Sequence, residues 1–188
     1  MLVCIKSSLN EIKPAYNAVL PKNALFYGCS PETGSFSAAM EYPYNKADIT
    51  YMNTEYRDFP LPKLVFGFKV AGGKIKKVYL GVTGNGILRD SSLMYTYPFS
   101  NVSSDFVLCT GSNALPEIKS PYSLSNMPDY ILSLPDNDDY YNIRHNRLEL
   151  GHRELMEHLA DKAPEYYYSD ILIPSGKTLS DFYKEVSL

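Results

Sequence analysis

The 188-residue chain carries 18 Lys+Arg against 21 Asp+Glu, a net charge of −3, so it has no cationic excess to hold a polyanion, and nucleic-acid binding is disfavoured. With 45% hydrophobic and 21% charged residues, the composition is that of one folded domain and excludes disordered, collagen-like and disulfide-scaffold chains. Its aromatics are 17 Tyr and 8 Phe with no Trp, residues that favour strands and contact surfaces.

In chain order, Met1-Leu2-Val3-Cys4-Ile5-Lys6 lacks the basic region and long apolar run of a secretory signal, and no stretch reaches the roughly 18 apolar residues of a membrane span. The expected location is the cytoplasm, with no membrane association. Residues 24–29 and 36–42 read as strands around the turn Ser30-Pro31-Glu32-Thr33-Gly34. Residues 41–62, rich in Tyr, Asn, Asp and Pro, read as a long connection. The strongest hairpin signal joins residues 63–70 to 74–82 through Ala71-Gly72-Gly73, where glycine accepts the positive φ of a tight turn. Leu64, Phe66, Phe68, Val78, Leu80 and Val82 alternate along it and predict one buried face.

After Pro121 the period becomes helical. Leu124, Met127, Ile131 and Leu134 form one stripe, capped by Ser123 or Ser125. A second helix is predicted over 148–162, with Leu148, His152, Leu155, Met156 and Leu159 on its apolar face, and a third over 178–186, opened by Thr178-x-x-Asp181. Strands followed by helices predict an α+β domain: a four-stranded antiparallel meander with helices on one face, a core of about 20–160 and a C-terminal helical extension over 161–188. Tyr140-Tyr141 and Tyr166-Tyr167-Tyr168 read as packing and rim residues.

Neither a metal nor a cofactor is expected. Cys4, Cys29 and Cys109 form no C-x-x-C pair, and His145, His152 and His158 stand at no metal-ligand spacing from them. His152 reads as a hydrogen-bonded, semi-buried residue and His158 as a solvated one. Gly81-Val82-Thr83-Gly84-Asn85-Gly86 lacks the Lys-Ser/Thr that a phosphate loop requires and reads as a turn. Pro135-Asp136-Asn137-Asp138-Asp139 lacks the Gly and distal Glu of a calcium loop.

The segment with a chemical pattern is Tyr97-Pro98-Phe99-Ser100-Asn101-Val102, followed by Asp105-Phe106-Val107-Leu108-Cys109-Thr110-Gly111. A lone Cys after a short apolar run is by default a small buried residue, and an Asn at such a turn by default bonds its own backbone. A thiolate is also the nucleophile of acyl transfer, and a free thiol, a few per cent ionised at neutral pH, exchanges with a thioester without a strong base. The amide of Asn101 can donate to the oxyanion formed when an amine attacks that thioester. Asp105, or Asp136, Asp138 and Asp139 if their loop folds over the thiol, can orient the amine or lower its pKa.

This pattern resembles the active-site region of ubiquitin-conjugating enzymes, in which a Y-P-F element, an Asn turn and a Cys follow in that order with the same Asn-to-Cys spacing. It is most similar to the prokaryotic ubiquitin-conjugating-like family of PRTRC system protein B type. Here Phe99 and Ser100 replace the His and Pro of the enzyme turn, and Thr110 replaces the Leu after the Cys. The resemblance extends over about residues 20–160, and residues 98–111 are its specific part. It implies a ubiquitin-conjugating-like fold, with Cys109 as acyl carrier, Asn101 as oxyanion donor, and Asp105, Asp138 and His145 as assisting residues, His145 matching the family histidine after the aromatic pair Tyr140-Tyr141. It also implies three partners: a ubiquitin-like protein, a ThiF-like activating enzyme and a JAB-type metallopeptidase. The alternative is a catalytically inactive scaffold of the same fold that binds a ubiquitin-like protein or another component of the system.

Overall fold

Alternating apolar residues around glycine turns build the first half of the molecule. The computed structural model describes residues 19–30, 32–43 and 45–188; Cys4 and the N-terminal stretch read above lie outside them. Strands β1 (Ala24–Ser30) and β2 (Ser35–Tyr42) pair antiparallel, with Gly34 turning the chain at φ +64°. Then come β3 (Asn45–Tyr51), β4 (Thr54–Leu61), β5 (Leu64–Ala71) and β6 (Lys74–Thr83). Gly72 and Gly73 adopt φ +58° and +70° between β5 and β6, the paired positive values that match the twist of a hairpin.

The strands β1-β2-β5-β6 run consecutively as an antiparallel meander, while β3 and β4 leave it as a separate two-stranded ribbon. The connection expected over 41–62 is therefore largely this ribbon. Its turn, Met52-Asn53, contains no Gly and sets Met52 at φ +53°. Pro60 sits within β4, a position tolerated because β4 is an edge strand of a two-stranded ribbon. Tyr51, Phe59 and Leu61 carry the ribbon into the core.

Beyond β6 the sheet continues through β7 (Leu93–Tyr95), β8 (Val107–Leu108) and β9 (Pro174–Thr178). The β8 strand pairs with the middle of β6 and β7 with its end, and β9 adds to β7. Every pairing is antiparallel. The segment 161–188, expected to be helical, thus supplies a sheet strand after a π-helical turn at Tyr167–Ile171.

Helix α1 (Met127–Leu132) follows a 3-10 turn at Pro121–Asn126, and α2 (His152–Leu159) is shorter than predicted. Neither Ser123 nor Ser125 caps α1; Asn126 holds the N-cap position without a side-chain hydrogen bond. Helix α3 (Leu179–Val186) starts at the Thr178/Asp181 capping box. Among the described residues no helix is long and apolar enough to cross a membrane.

The helices cover both faces of the sheet, not one. Phe66, Phe68, Val78, Leu80 and Val82 meet Leu124, Ile131, Leu155 and Leu159 on one side. On the other, Val65, Tyr79 and Met94 meet Leu179, Phe182 and Val186 of α3. Two glycines open the second face. A Cβ on Gly67 would lie 2.4 Å from Val186 Cγ2, and one on Gly81 would lie 2.4 Å from the Met94 methyl. The domain is α+β with an antiparallel sheet.

Gly67→Ala should accordingly destabilise the fold by about 1–3 kcal/mol through overpacking, read as a lower urea midpoint. Val186→Ala in the same chain should recover part of that loss, whereas additive effects of the two substitutions would contradict the docking of α3 on Gly67.

Candidate functional site

The eight-residue spacing between Asn101 and Cys109 is the register of a small hairpin. The Cys109 amide donates to the Asn101 carbonyl at 2.8 Å, Val102 bridges Leu108, and the Ser103 amide donates to the Val107 carbonyl at 2.9 Å. Ser103 also accepts at its carbonyl from the Phe106 amide and at Oγ from the Val107 amide. Asn101 and Phe106 both take φ +63°, a conformation Asn tolerates better than most residues. The returning arm is β8, which docks on β6, and the Phe106 ring anchors the turn edge-on against Phe182 at 5.2 Å.

Cys109 emerges exposed at the end of β8. Its thiol borders a cleft of about 120 Å³, walled by Tyr97, Asn101 and Asp136 over a floor that includes Leu61, Phe99 and Met156. Asp136 is bonded on every side. Its main chain joins the end of β3, with its amide donating to the Thr50 carbonyl at 2.7 Å and its carbonyl accepting from the Met52 amide at 2.9 Å. Its carboxylate accepts from the Ser100 hydroxyl, the Asn101 side-chain amide and the Asn137 main-chain amide. Burial still pushes its pKa above the usual carboxylate value, against the lowering influence of the Ser100 hydrogen bond and of His152. Burial likewise holds the Tyr97 phenol far above its ordinary value, with Asp136 adding to the shift.

The polar loop borders the same cleft as Cys109: Asp136, Asn137 and Asp139 all line it. The Asp139 carbonyl accepts from the Asn101 amide at 2.6 Å. Asp138 is used elsewhere. Its carboxylate accepts from the Tyr51 hydroxyl at 2.8 Å and meets His152 Nδ1 at 2.9 Å, and the Tyr51 hydrogen bond leads the influences that lower its pKa. His152, 5% exposed, stacks parallel to Tyr141 at 4.4 Å; it is hydrogen-bonded as its helix face predicts, but buried where a semi-buried residue is expected. His158 bonds the Tyr166 hydroxyl at 3.1 Å instead of standing free in solvent.

None of the three expected assisting residues, Asp105, Asp138 and His145, lines the cleft. Asp105 pairs with Lys177 of β9 at 3.0 Å, and His145 lines a different cavity. Asp105 sits at the hairpin tip, away from the Cys109 end, and His145, in the 3-10 turn Ile143–His145, shares its cavity with Ser175 and Lys177 of β9. Cys29 lies exposed on the outer strand β1. Ser100 and Tyr97 were read only as motif letters, yet both belong to the cleft wall. The signal available for Ser100 was its place beside Asn101, where it replaces a proline with a hydroxyl donor.

Among the described residues no group of His, Cys, Asp and Glu converges to hold a metal ion. Comparison of the chain with protein-family models, with curated proteins and with solved structures finds no match.

Because the folded state raises the Asp136 pKa, it keeps a proton there that the unfolded chain releases from about pH 3.9 upward. Stability should therefore fall as pH rises from that value through the folded pKa of Asp136, and Asp136→Asn should lack this decline. Urea unfolding of both proteins between about pH 4 and 7 measures it. A wild-type-minus-variant difference that stays flat over this range would contradict a raised Asp136.

Proposed function

We propose that the protein is a ubiquitin-conjugating-like acyl carrier that takes the C-terminus of a ubiquitin-like protein as a thioester on Cys109 and passes it to an amine. The observation that carries this reading is an exposed thiol at the rim of a cleft, held by a hairpin hydrogen bond opposite Asn101. The meander β1-β2-β5-β6, followed by an irregular cysteine-bearing segment and then helices, supports a ubiquitin-conjugating-like fold.

The lack of an imidazole in the lining of the thiol cleft discriminates among cysteine chemistries. All three histidines are described, and none lines the cleft. A hydrolase of the Cys-His kind needs an imidazole within hydrogen-bond reach of sulfur, whereas exchange between thiols needs only the small thiolate fraction. In loading, Cys109 sulfur attacks the thioester carbonyl on the activating enzyme, the new C–S bond forms, and the partner's thiolate leaves. In discharge, an amine forms the C–N bond, the C–S bond breaks, Cys109 departs as thiolate, and the surplus amine proton leaves to water at the cleft mouth. The resemblance supplies the ThiF-like enzyme as donor and the JAB-type peptidase as the partner that removes the modifier. The scaffold alternative draws on one observation: the Asn101 amide is already bonded to Asp136.

Incubation with ATP, a ThiF-like enzyme and its ubiquitin-like protein should give a thiol-sensitive adduct on a non-reducing gel. Cys109→Ser should convert it to a thiol-resistant, alkali-sensitive oxyester, and a persisting adduct in Cys109→Ala would transfer the role to another residue. Asn101→Gly keeps the left-handed backbone while deleting the amide. It should load normally and discharge to lysine about 10²–10³ times more slowly. Unchanged discharge leaves Asn101 a structural residue, and failure of the wild-type chain to load favours the scaffold.

A further inference from the structure

Beside the Cys109 hairpin, separate from the thiol cleft but sharing Tyr97 with it, lies a second cavity of about 220 Å³. Its floor is apolar: Leu80, Val102 and Phe106 are 1%, 7% and 5% exposed. Its polar lining includes Ser103, His145 and Lys177. The Lys177 ammonium lies 5.0 Å over the Phe106 ring and donates to the Ser104 carbonyl at 2.8 Å and to Asp105 at 3.0 Å. An ammonium has three N–H donors, and the third has no acceptor among the described residues. His145 Nδ1 is buried without a hydrogen-bond partner, and burial holds the imidazole below its ordinary pKa. The ring is therefore neutral near pH 7 and carries one N–H donor and one acceptor nitrogen. The acyl-carrier chemistry uses neither residue.

We propose that this cavity binds a small aromatic monocarboxylate. The apolar floor accepts the ring, while the third ammonium N–H and the imidazole N–H offer donors to the carboxylate oxygens. Asp105 already offsets much of the Lys177 charge, which favours a monoanion over a phosphate dianion, and an amine would meet the ammonium with like charge. The volume is sufficient, since an apolar cavity of about 150 Å³ admits benzene. The ligand would sit against Val102 and Phe106, residues of the same hairpin that presents Asn101 and Cys109 to the thiol cleft. This site does not depend on the acyl-carrier reading, and its test requires no conjugation partner.

Titration of the full chain with benzoate, followed through backbone amide chemical shifts, tests it. Saturable shifts centred on residues 102–106, 145 and 177 are expected. Lys177→Met, or benzamide in place of benzoate, should weaken binding at least about tenfold, and benzylamine should give no response. Asp105→Asn, which frees the Lys177 charge, should tighten benzoate binding several-fold, a gain that misfolding cannot produce. The proposal is overturned by no saturable shift up to about 10 mM, by shifts centred elsewhere, by equal response to benzamide, or by unchanged or weaker binding in Asp105→Asn.

Discussion

The placement of Cys109 depends on the burial of one carboxylate. Asp136 is half-buried within the polar loop, and its main chain extends the hydrogen bonding of β3 while its side chain accepts from Ser100 and Asn101. Asn101 in turn receives the Cys109 amide. A carboxylate withdrawn from water is tolerated only when hydrogen bonds replace its hydration, and three donors from two separate segments do so here. The chain of contacts runs from the β3–β4 ribbon through Asp136 to Asn101 and then to the cysteine. The ribbon, which looks peripheral to the sheet, is one wall of the site.

The hairpin is held equally firmly from behind. Phe106 packs against Phe182 of α3, and Asp105 pairs with Lys177 of β9. Both partners come from the last fifteen residues of the chain, so the C-terminal segment is part of the machinery that fixes the thiol. Helix α3 reaches that position because Gly67 and Gly81 leave a shallow slot on the second face of the sheet. The thiol cleft and the cavity beside Lys177 both border this one hairpin, and Tyr97 lines both.

The legible features were those encoded locally. The glycine pair at Gly72-Gly73 and alternation along β5 and β6 specify the central hairpin, and the Thr178/Asp181 box specifies the start of α3; the Asn101–Cys109 spacing stands out in the sequence only as a motif, and the hairpin register behind it comes from the structure. What escaped notice lacks a local signal. The β3–β4 ribbon turns on Met52-Asn53 without glycine and carries Pro60. The Pro174–Thr178 strand contains Pro and Gly and finds its partner β7 some eighty residues earlier. Among the acidic residues of the polar loop, composition cannot choose, because backbone conformation does. Asn137 Oδ1 accepts from the Asp139 amide, and Tyr140 takes φ +61°. That turn directs Asp136 into the cleft and Asp138 toward Tyr51 and His152.

The claim on which the rest stands, that Asp136 holds the cysteine hairpin in place, is most directly tested by amide hydrogen exchange in the wild type and in Asp136→Ala. The Asn101 and Cys109 amides, bonded to the Asp139 and Asn101 carbonyls, should be protected in the wild type. In the variant both should exchange at least about tenfold faster through local opening while the β5–β6 amides keep their protection. Equal protection of Asn101 and Cys109 in the two proteins would contradict the account.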